Sequence, residues 1–320
     1  MQPRKPTVIS TFAGCGGSSL GYKWAGFEEL LAIEWDANAV ETLRLNFPGL
    51  TVWDRDINGV TADEILKQTG LMRGELDVFD GSPPCQGFST AGLRKVNDPR
   101  NNLFKEFVRL VIGLQPKVFV MENVSGVVKG RMQGRFIEIM QTLKAQNYQV
   151  RCRLMNAAFH GVPQSRRRLI WIGVRNDLAK QPCFPASNTK VLTVSDALAG
   201  LVVTEKPAIP GPAVFKNVLQ RCKEGEDGSK YNNNKFFGWQ RIARNKPCPT
   251  IIKTAGLFHW VEDRFLSIQE LKRLSSFPDD FKFIGSHRQQ WARIGNAVMP
   301  RFMQAVAETI KTDILGYTDQ

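Results

Sequence analysis

The chain has 320 residues and a mass of 36.0 kDa, enough for one large domain or two modest ones around a sizeable core. Its 43 Lys and Arg against 30 Asp and Glu give a formal charge of +13, which favours polyanions such as nucleic acid over acidic partners. Hydrophobic residues at 42% and charged residues at 23% exclude wholesale disorder. No stretch approaches the roughly 20 apolar residues of a membrane span, nor the apolar centre of a secretory signal.

In chain order, residues 6–175 alternate short apolar runs with amphipathic stretches, the pattern of parallel strands joined by crossover helices in a doubly wound α/β sheet. Strands are predicted at 6–12, 29–35, 51–57, 76–82, 117–123, 148–154 and 168–174. Helices are predicted at 37–47, 101–114 and 135–145 from apolar residues three and four apart, and at 61–68 behind a Thr61–Glu64 capping box. Beyond about residue 176 the alternation fails, and Pro182, Pro185, Pro207, Pro210 and Pro212 with the polar run 224–234 predict loops. A second, smaller unit is therefore expected over 186–289, the larger one comprising 1–185 with 290–320. Residues 186–262 hold 11 Lys and Arg against 6 Asp and Glu, with aromatics interleaved, a composition suited to nucleic acid. Helical patterning returns at a Ser267–Glu270 capping box and closes the chain at 301–315.

The six cysteines form no C-x-x-C pair, and His160, His259 and His287 are the only histidines, so neither a metal site nor a disulfide framework is suggested. A cysteine with a chemical role should act as a reduced thiol. The first strand ends in FAGCGGSSLG, whose small residues let backbone approach a ligand at the carboxyl edge of a sheet. The next two strand ends carry Glu34, Trp35, Asp56 and Ile57. Two carboxylates and a flat ring on one edge suit an adenosine: ribose hydroxyls, base and exocyclic amine.

The fourth strand ends in GSPPCQGFS, putting Cys85 on a proline-stiffened loop at the same edge. Ala91 stands where a phosphatase loop would need arginine. The fifth strand ends in MENV, so Glu122 and Asn123 emerge beside Cys85. A thiol next to a carboxyl group suits covalent addition to an electron-poor ring, the acid placing a proton on ring nitrogen as sulfur adds to carbon. In QSRRR, alternation directs Arg166 and Arg168 to one side and Arg167 to the other.

With these segments in order, followed by residues 264–281 and IGNAV, the chain resembles the DNA (cytosine-5) methyltransferases of bacterial restriction–modification systems over nearly its whole length. The resemblance implies a Rossmann-like S-adenosylmethionine-dependent methyltransferase sheet of seven mixed strands, with a smaller target-recognition domain. It implies that Phe12, Gly14, Gly16, Glu34, Trp35, Asp56, Ile57, Pro84, Leu103 and Asn296 hold S-adenosylmethionine, which leaves as S-adenosylhomocysteine. Cys85 would be the nucleophile and Glu122 its partner at the cytosine N3 and amine, with Arg166 contacting the base and Arg168 supporting the loop. Double-stranded DNA would be the partner, its cytosine flipped into the pocket under a closing loop at 86–100, with Gln86 and Ser89 at the flipped nucleotide. Thr250-Ile251 resembles the dipeptide marking the recognition domain, where Gln240, Arg241, Arg244 and Asn245 are candidates to meet DNA. The expected setting is the cytoplasm at the nucleoid, as a monomer without metal or membrane, with a cognate restriction endonuclease as a possible companion. An RNA (tRNA) cytosine-5 methyltransferase would share the thiol chemistry, although GFS after PPCQ looks more like DNA-acting members. A non-catalytic, methyltransferase-like DNA-binding regulator would not need Cys85, Glu122 and the cofactor residues together.

Overall fold

The computed structural model describes residues 4–84, 103–128, 133–187, 190–205, 211, 218–231, 239–254 and 256–318. The chain divides into two compact units: Met1–Met155 with Arg167–Ala186 and Met303–Gln320, and Asn156–Arg166 with Ser187–Phe302. No helix of the described residues is long and apolar enough to cross a membrane.

The first unit is built on one sheet of seven strands: β1 (Thr7–Thr11), β2 (Glu28–Glu34), β3 (Val52–Asp54), β4 (Val78–Gly81), β5 (Val118–Val124), β6 (Tyr148–Asn156) and β7 (Arg167–Arg175). Their order is β3-β2-β1-β4-β5-β7-β6. Strands β1 to β5 pair in parallel, and β1 and β4 are buried at every position, as central strands covered on both faces must be. The expectation of an all-parallel set fails at the last strand. β7 runs antiparallel to β5, pairing Glu122 with Ile170 and Val124 with Arg168, which makes the sheet mixed as the resemblance implied. The third strand is also shorter than expected, because Asp56 caps a 3-10 turn at Ile57–Gly59, accepting from the Asn58 amide at 3.0 Å.

Helices α1 (Gly17–Trp24), α2 (Ala37–Asn46), α3 (Ala62–Thr69), α4 (Leu103–Leu114) and α5 (Gln133–Lys144) cross between the strands. Asp36 caps α2, and the expected Thr61–Glu64 box opens α3, which stops at Gly70 in the left-handed conformation. α4 buries Phe104, Phe107, Val108, Val111 and Leu114, a stripe at helical spacing. Phe107 stacks on Phe79 of β4 at 5.1 Å between centroids and meets the edge of Phe119 of β5 at 6.1 Å. Truncating such a ring costs about 3–5 kcal/mol, so α4 is fixed to the middle of the sheet.

The second unit holds α6 (Val194–Leu198), the two-stranded pair β8 (Gln240–Arg241) and β9 (Leu257–Phe258), then α7 (Ile268–Leu274) and α8 (His287–Asn296). Side chains that include Val194, Ile251, Leu271 and Trp291 form its core. Capping boxes start all three helices: Thr193–Asp196, the expected Ser267–Glu270, and Ser286–Gln289. Arg264 forks onto the buried Glu270 at 2.8 and 2.9 Å, which gives both charges a partner inside this unit. Helix α9 (Pro300–Thr309) ends in a π turn at Ile310–Ile314, over the stretch expected as the closing helix.

Candidate active site

In the sheet order, β1 lies between β2 and β4, so chain progression reverses there and a crevice opens at the carboxyl ends of the strands. A cavity of about 540 Å³ occupies that edge of the first unit. Phe12 follows β1; Glu34 and Trp35 lie at the end of β2; Asp56 and Ile57 follow β3; Pro84 follows β4, and Leu103 opens α4. Seven of the residues expected at the cofactor thus line one cavity. Ile33, Arg55, Asn58, Lys105 and Glu106 complete its wall without having been singled out in the sequence. Their signal was adjacency: Arg55 and Asn58 flank the Asp56-Ile57 pair, and Glu106 is one helical turn beyond Leu103.

The glycine turn explains how the wall is held. Gly16 sits at φ 89° as the N-cap of α1, where a Cβ would stand 2.6 Å from the Phe47 ring, so only glycine fits. Gly14, at φ 57°, donates its amide to Glu34 Oε2 at 2.8 Å. The Trp35 and Asp36 amides both donate to Glu34 Oε1 at 2.9 Å. Burial raises the Glu34 carboxyl above its ordinary value, and those three amides oppose the shift by stabilising the anion. Trp35 is 68% exposed, an unusual state for a large ring directly after four buried residues, 31–34. Asp56 uses Oδ1 for Asn58, and no hydrogen bond to its Oδ2 occurs among the described residues.

This wall fits the cofactor that the resemblance implied. The volume lies within the roughly 300–1,000 Å³ of small-molecule sites, and the lining supplies an open aromatic face, an oriented carboxylate and a second carboxylate on a capped turn.

Glu122, near the end of β5, is 8% exposed. Arg168 Nε lies 2.7 Å from its Oε1, and no second ion pair to this carboxylate occurs among the described residues. Burial pulls the Arg168 guanidinium down and the Glu122 charge pushes it back up, so the pair is held together by mutual need. Next to it, Asn123 donates Nδ2 to the Pro83 carbonyl at 3.1 Å, tying β5 to the loop that leads into Cys85. Cys85, Gln86, Ser89 and the rest of the expected closing loop lie outside the described residues.

The QSRRR run divides between the units. Gln164 and Arg166 belong to the second, where the buried Arg166 guanidinium donates to the carbonyls of Ile251, Gly295 and Ala297, each at 3.0 Å. Arg166 was expected at the base, and its guanidinium is engaged here by carbonyls of its own unit; the loop that Arg168 was expected to support lies outside the described residues. Three carbonyls claim Arg166, and it is Arg168 that reaches the carboxylate. Gln164 joins the same clamp, accepting from the Ile251 amide at 3.2 Å, and Thr250 donates its hydroxyl to the Ser165 carbonyl at 2.7 Å. Asn296 is exposed at the end of α8.

Of the DNA-contact candidates, Arg244 is exposed and lies 3.8 Å from Glu224. Arg241 is instead only 5% exposed, and its guanidinium donates to the His259, Val261, Glu262 and Leu219 carbonyls and to Asp263 Oδ1 at 2.6 Å. An arginine so occupied builds its own unit, so the expected DNA contact of Arg241 is withdrawn. The sequence signal was misleading because a basic residue beside aromatics reads the same whether it faces solvent or fills a turn.

A profile of the C-5 cytosine-specific DNA methylases matches residues 6–312. The chain is 36% identical to the Type II methyltransferase M1.HphI of Haemophilus parahaemolyticus, covering 95% of this chain and 86% of that one. It is 31% identical to the Type II methyltransferase M.DdeI of Desulfomicrobium norvegicum over 95% and 88% of the two chains. Among solved structures, a prophage-encoded DNA modification methyltransferase from E. coli superposes with a TM-score of 0.81 at 25% identity, over 98% of this chain and 100% of that one.

Proposed function

Because the chain belongs to the C-5 cytosine-specific DNA methylases and is a DNA cytosine-5 methyltransferase of restriction–modification type, we propose that it methylates a cytosine flipped out of one short sequence of double-stranded DNA, using S-adenosylmethionine. The observation that carries the proposal is the gathering of Phe12, Glu34, Trp35, Asp56, Ile57, Pro84 and Leu103 on one cavity at the carboxyl edge of the sheet that also bears Glu122.

Trp35 offers its open face to the adenine, Asp56 its second carboxylate oxygen to the exocyclic amine, and Glu34 its oriented carboxylate to the ribose. Gly14 and Gly16 keep the turn low enough for close approach, and Asn296 is assigned to the cofactor through its place in the IGNAV motif. When bound, S-adenosylmethionine supplies a methyl group activated by its sulfonium.

Cytosine C5 is too weak a nucleophile to accept that methyl group directly. Cys85 adds its thiolate sulfur to C6 while Glu122 holds a proton at N3, and the electron pair pushed into the ring makes C5 nucleophilic. Arg168 keeps the Glu122 carboxylate aimed and balances its charge. After transfer, C5 loses its proton and the returning electrons expel the Cys85 sulfur, restoring the thiolate. The second unit, residues 187–302 in the main, reads the target sequence, with Arg244 and Thr250 on its DNA side. The protein works as a monomer, paired in its host with a restriction endonuclease of the same target.

The test is incubation with unmethylated double-stranded DNA and S-adenosylmethionine, followed by base-resolution mapping of 5-methylcytosine, with Cys85→Ala alongside. Methylation confined to one short motif and lost in the variant, whose DNA affinity stays within about threefold, is expected. Full activity of Cys85→Ala would overturn the covalent route. Absence of DNA methylation by a wild-type protein that binds S-adenosylhomocysteine would turn the reading toward RNA.

A further inference from the structure

The cavity wall that carries Asp56, Ile57 and Asn58 is a single 3-10 turn, Ile57–Gly59, too short to be stable by its own hydrogen bonds. The Ile57 carbonyl accepts the turn's closing bond, from the Val60 amide at 3.2 Å, and the carbonyls of Gly59 and Val60 lie beyond it. Two arginines take them. Arg55 donates to the Gly59 carbonyl at 2.6 Å and is anchored by Glu64 at 2.9 Å. Arg109, from α4, donates Nη2 to the Ile57 carbonyl at 3.2 Å and to the Val60 carbonyl at 2.8 Å. Its Nε is held by Glu106 Oε2 at 2.8 Å, one turn earlier on the helix.

Glu106 and Leu103 are themselves part of the opposite wall of the cavity. Leu103, Glu106 and Arg109 follow one another at three-residue spacing, so they share a face of α4, whose other face is locked to the sheet by Phe107. Arg109 therefore joins the two walls: one end of its guanidinium grips the turn, the other the helix. It does not itself line the cavity.

We infer that Arg109 is a positioning residue for the cofactor half of the site, setting the distance between the turn that bears Asp56 and Asn58 and the helix that bears Leu103 and Glu106. The inference rests on the reading of this cavity as the S-adenosylmethionine site. Charge-assisted bonds to two carbonyls hold the turn more firmly than a neutral side chain does, and their loss lets the turn rotate away from α4. Cofactor affinity should fall while DNA affinity, which this bridge does not touch, stays.

The experiment is calorimetric titration of the full chain with S-adenosylhomocysteine, DNA affinity by gel shift, and thermal midpoints, for wild type, Arg109→Gln, Arg109→Lys, Trp35→Ala and Asp56→Ala. Arg109→Gln is expected to weaken S-adenosylhomocysteine by about tenfold and to raise KM for S-adenosylmethionine in step, with kcat at saturation and DNA affinity within about twofold. Arg109→Lys keeps a cation but not the two-pronged grip, and should fall between. Wild-type affinity in Arg109→Gln overturns the inference, provided Trp35→Ala and Asp56→Ala bind weakly. If those two also bind as wild type, the reading of the cavity itself fails. Parallel losses of cofactor and DNA affinity with a large drop in thermal midpoint would make Arg109 a general stabiliser and also overturn the inference. Arg109→Lys no better than Arg109→Gln would remove the charged contact as the cause.

Discussion

Arg168 Nε stands 2.7 Å from Glu122 Oε1, and the two side chains are only 13% and 11% exposed. They belong to neighbouring antiparallel strands, two residues out of direct register, since Glu122 pairs with Ile170 and Arg168 with Val124. A pair this buried costs desolvation on both sides, so either charge left alone is worse than the pair removed together. Arg168→Gln and Glu122→Gln are each expected to lower stability by about 2 kcal/mol, and the double variant by little more than either, a coupling above about 1 kcal/mol. Urea unfolding of the four proteins closes the cycle. Additive losses would mean that the pair contributes nothing as a pair.

Gly14 and Gly16 share a left-handed backbone but not a neighbourhood. A Cβ on Gly16 would lie 2.6 Å from Phe47 and 2.9 Å from Leu43, whereas nothing stands within 4 Å of one on Gly14. Gly14→Ala should therefore cost only the conformational penalty, about 1–2 kcal/mol, and Gly16→Ala at least about 1 kcal/mol more for the clash. Denaturant midpoints measured in parallel decide it; equal losses would show that Phe47 and Leu43 give way freely.

Much of this architecture was legible because parallel strands and their crossover helices leave opposite periodicities in the chain. The runs ending at Thr11, Glu34, Gly81 and Val124 needed only apolarity to be seen, and the topology then brought Glu34, Trp35 and Asp56 to one edge. β3 was overextended because a strand at the sheet margin and a capped turn differ by one hydrogen bond, that of Asp56 to Asn58. In QSRRR, alternation gives the side of a side chain but not the unit that supplies its partners, and Arg166 finds carbonyls more than eighty residues away. The same blindness to distant partners hid Arg109 and made Arg241 look like a surface cation.

Two carboxyls beneath the sheet edge make stability depend on pH. Burial pushes Asp80 up to about 8, helped by the charge of Glu29, and burial raises Glu29 to about 7. Tyr22 donates its hydroxyl to Asp80 at 3.3 Å, and Ser19 donates to Glu29 at 3.0 Å. Unfolded, these groups titrate at their ordinary values, 3.8 and 4.5. Between those values and the folded ones the native state binds more protons than the unfolded chain, so stability falls as pH rises. Carboxylates held low by partners, such as Glu64 at about 2, act only in the acid range and do not mask this slope. Urea midpoints from pH 5 to pH 9 should decline, and Asp80→Asn, neutral throughout, should flatten the decline. An equal slope in the variant would assign the dependence to other groups.

Arg241 and Arg244 separate two meanings of positive charge in the second unit. Arg244 is 61% exposed and its ion pair with Glu224 spans 3.8 Å, so its removal should change stability by less than about 0.5 kcal/mol. If it meets phosphate, Arg244→Ala weakens binding to unrelated DNA sequences alike and reduces the slope of log affinity against log salt by about 1. Arg241 is buried against four carbonyls and Asp263, and its loss leaves those oxygens without donors. Arg241→Ala is therefore expected to destabilise the protein by about 2–4 kcal/mol. With a net charge of +13 the wild type itself should bind non-specific DNA with a steep salt dependence. Fluorescence anisotropy titrations between 50 and 300 mM salt, at roughly the range where counterion release dominates, with unfolding curves for each variant, separate the roles. An unchanged salt slope in Arg244→Ala would take that residue off the DNA face, and an Arg241→Ala protein as stable as wild type would return its guanidinium to the surface.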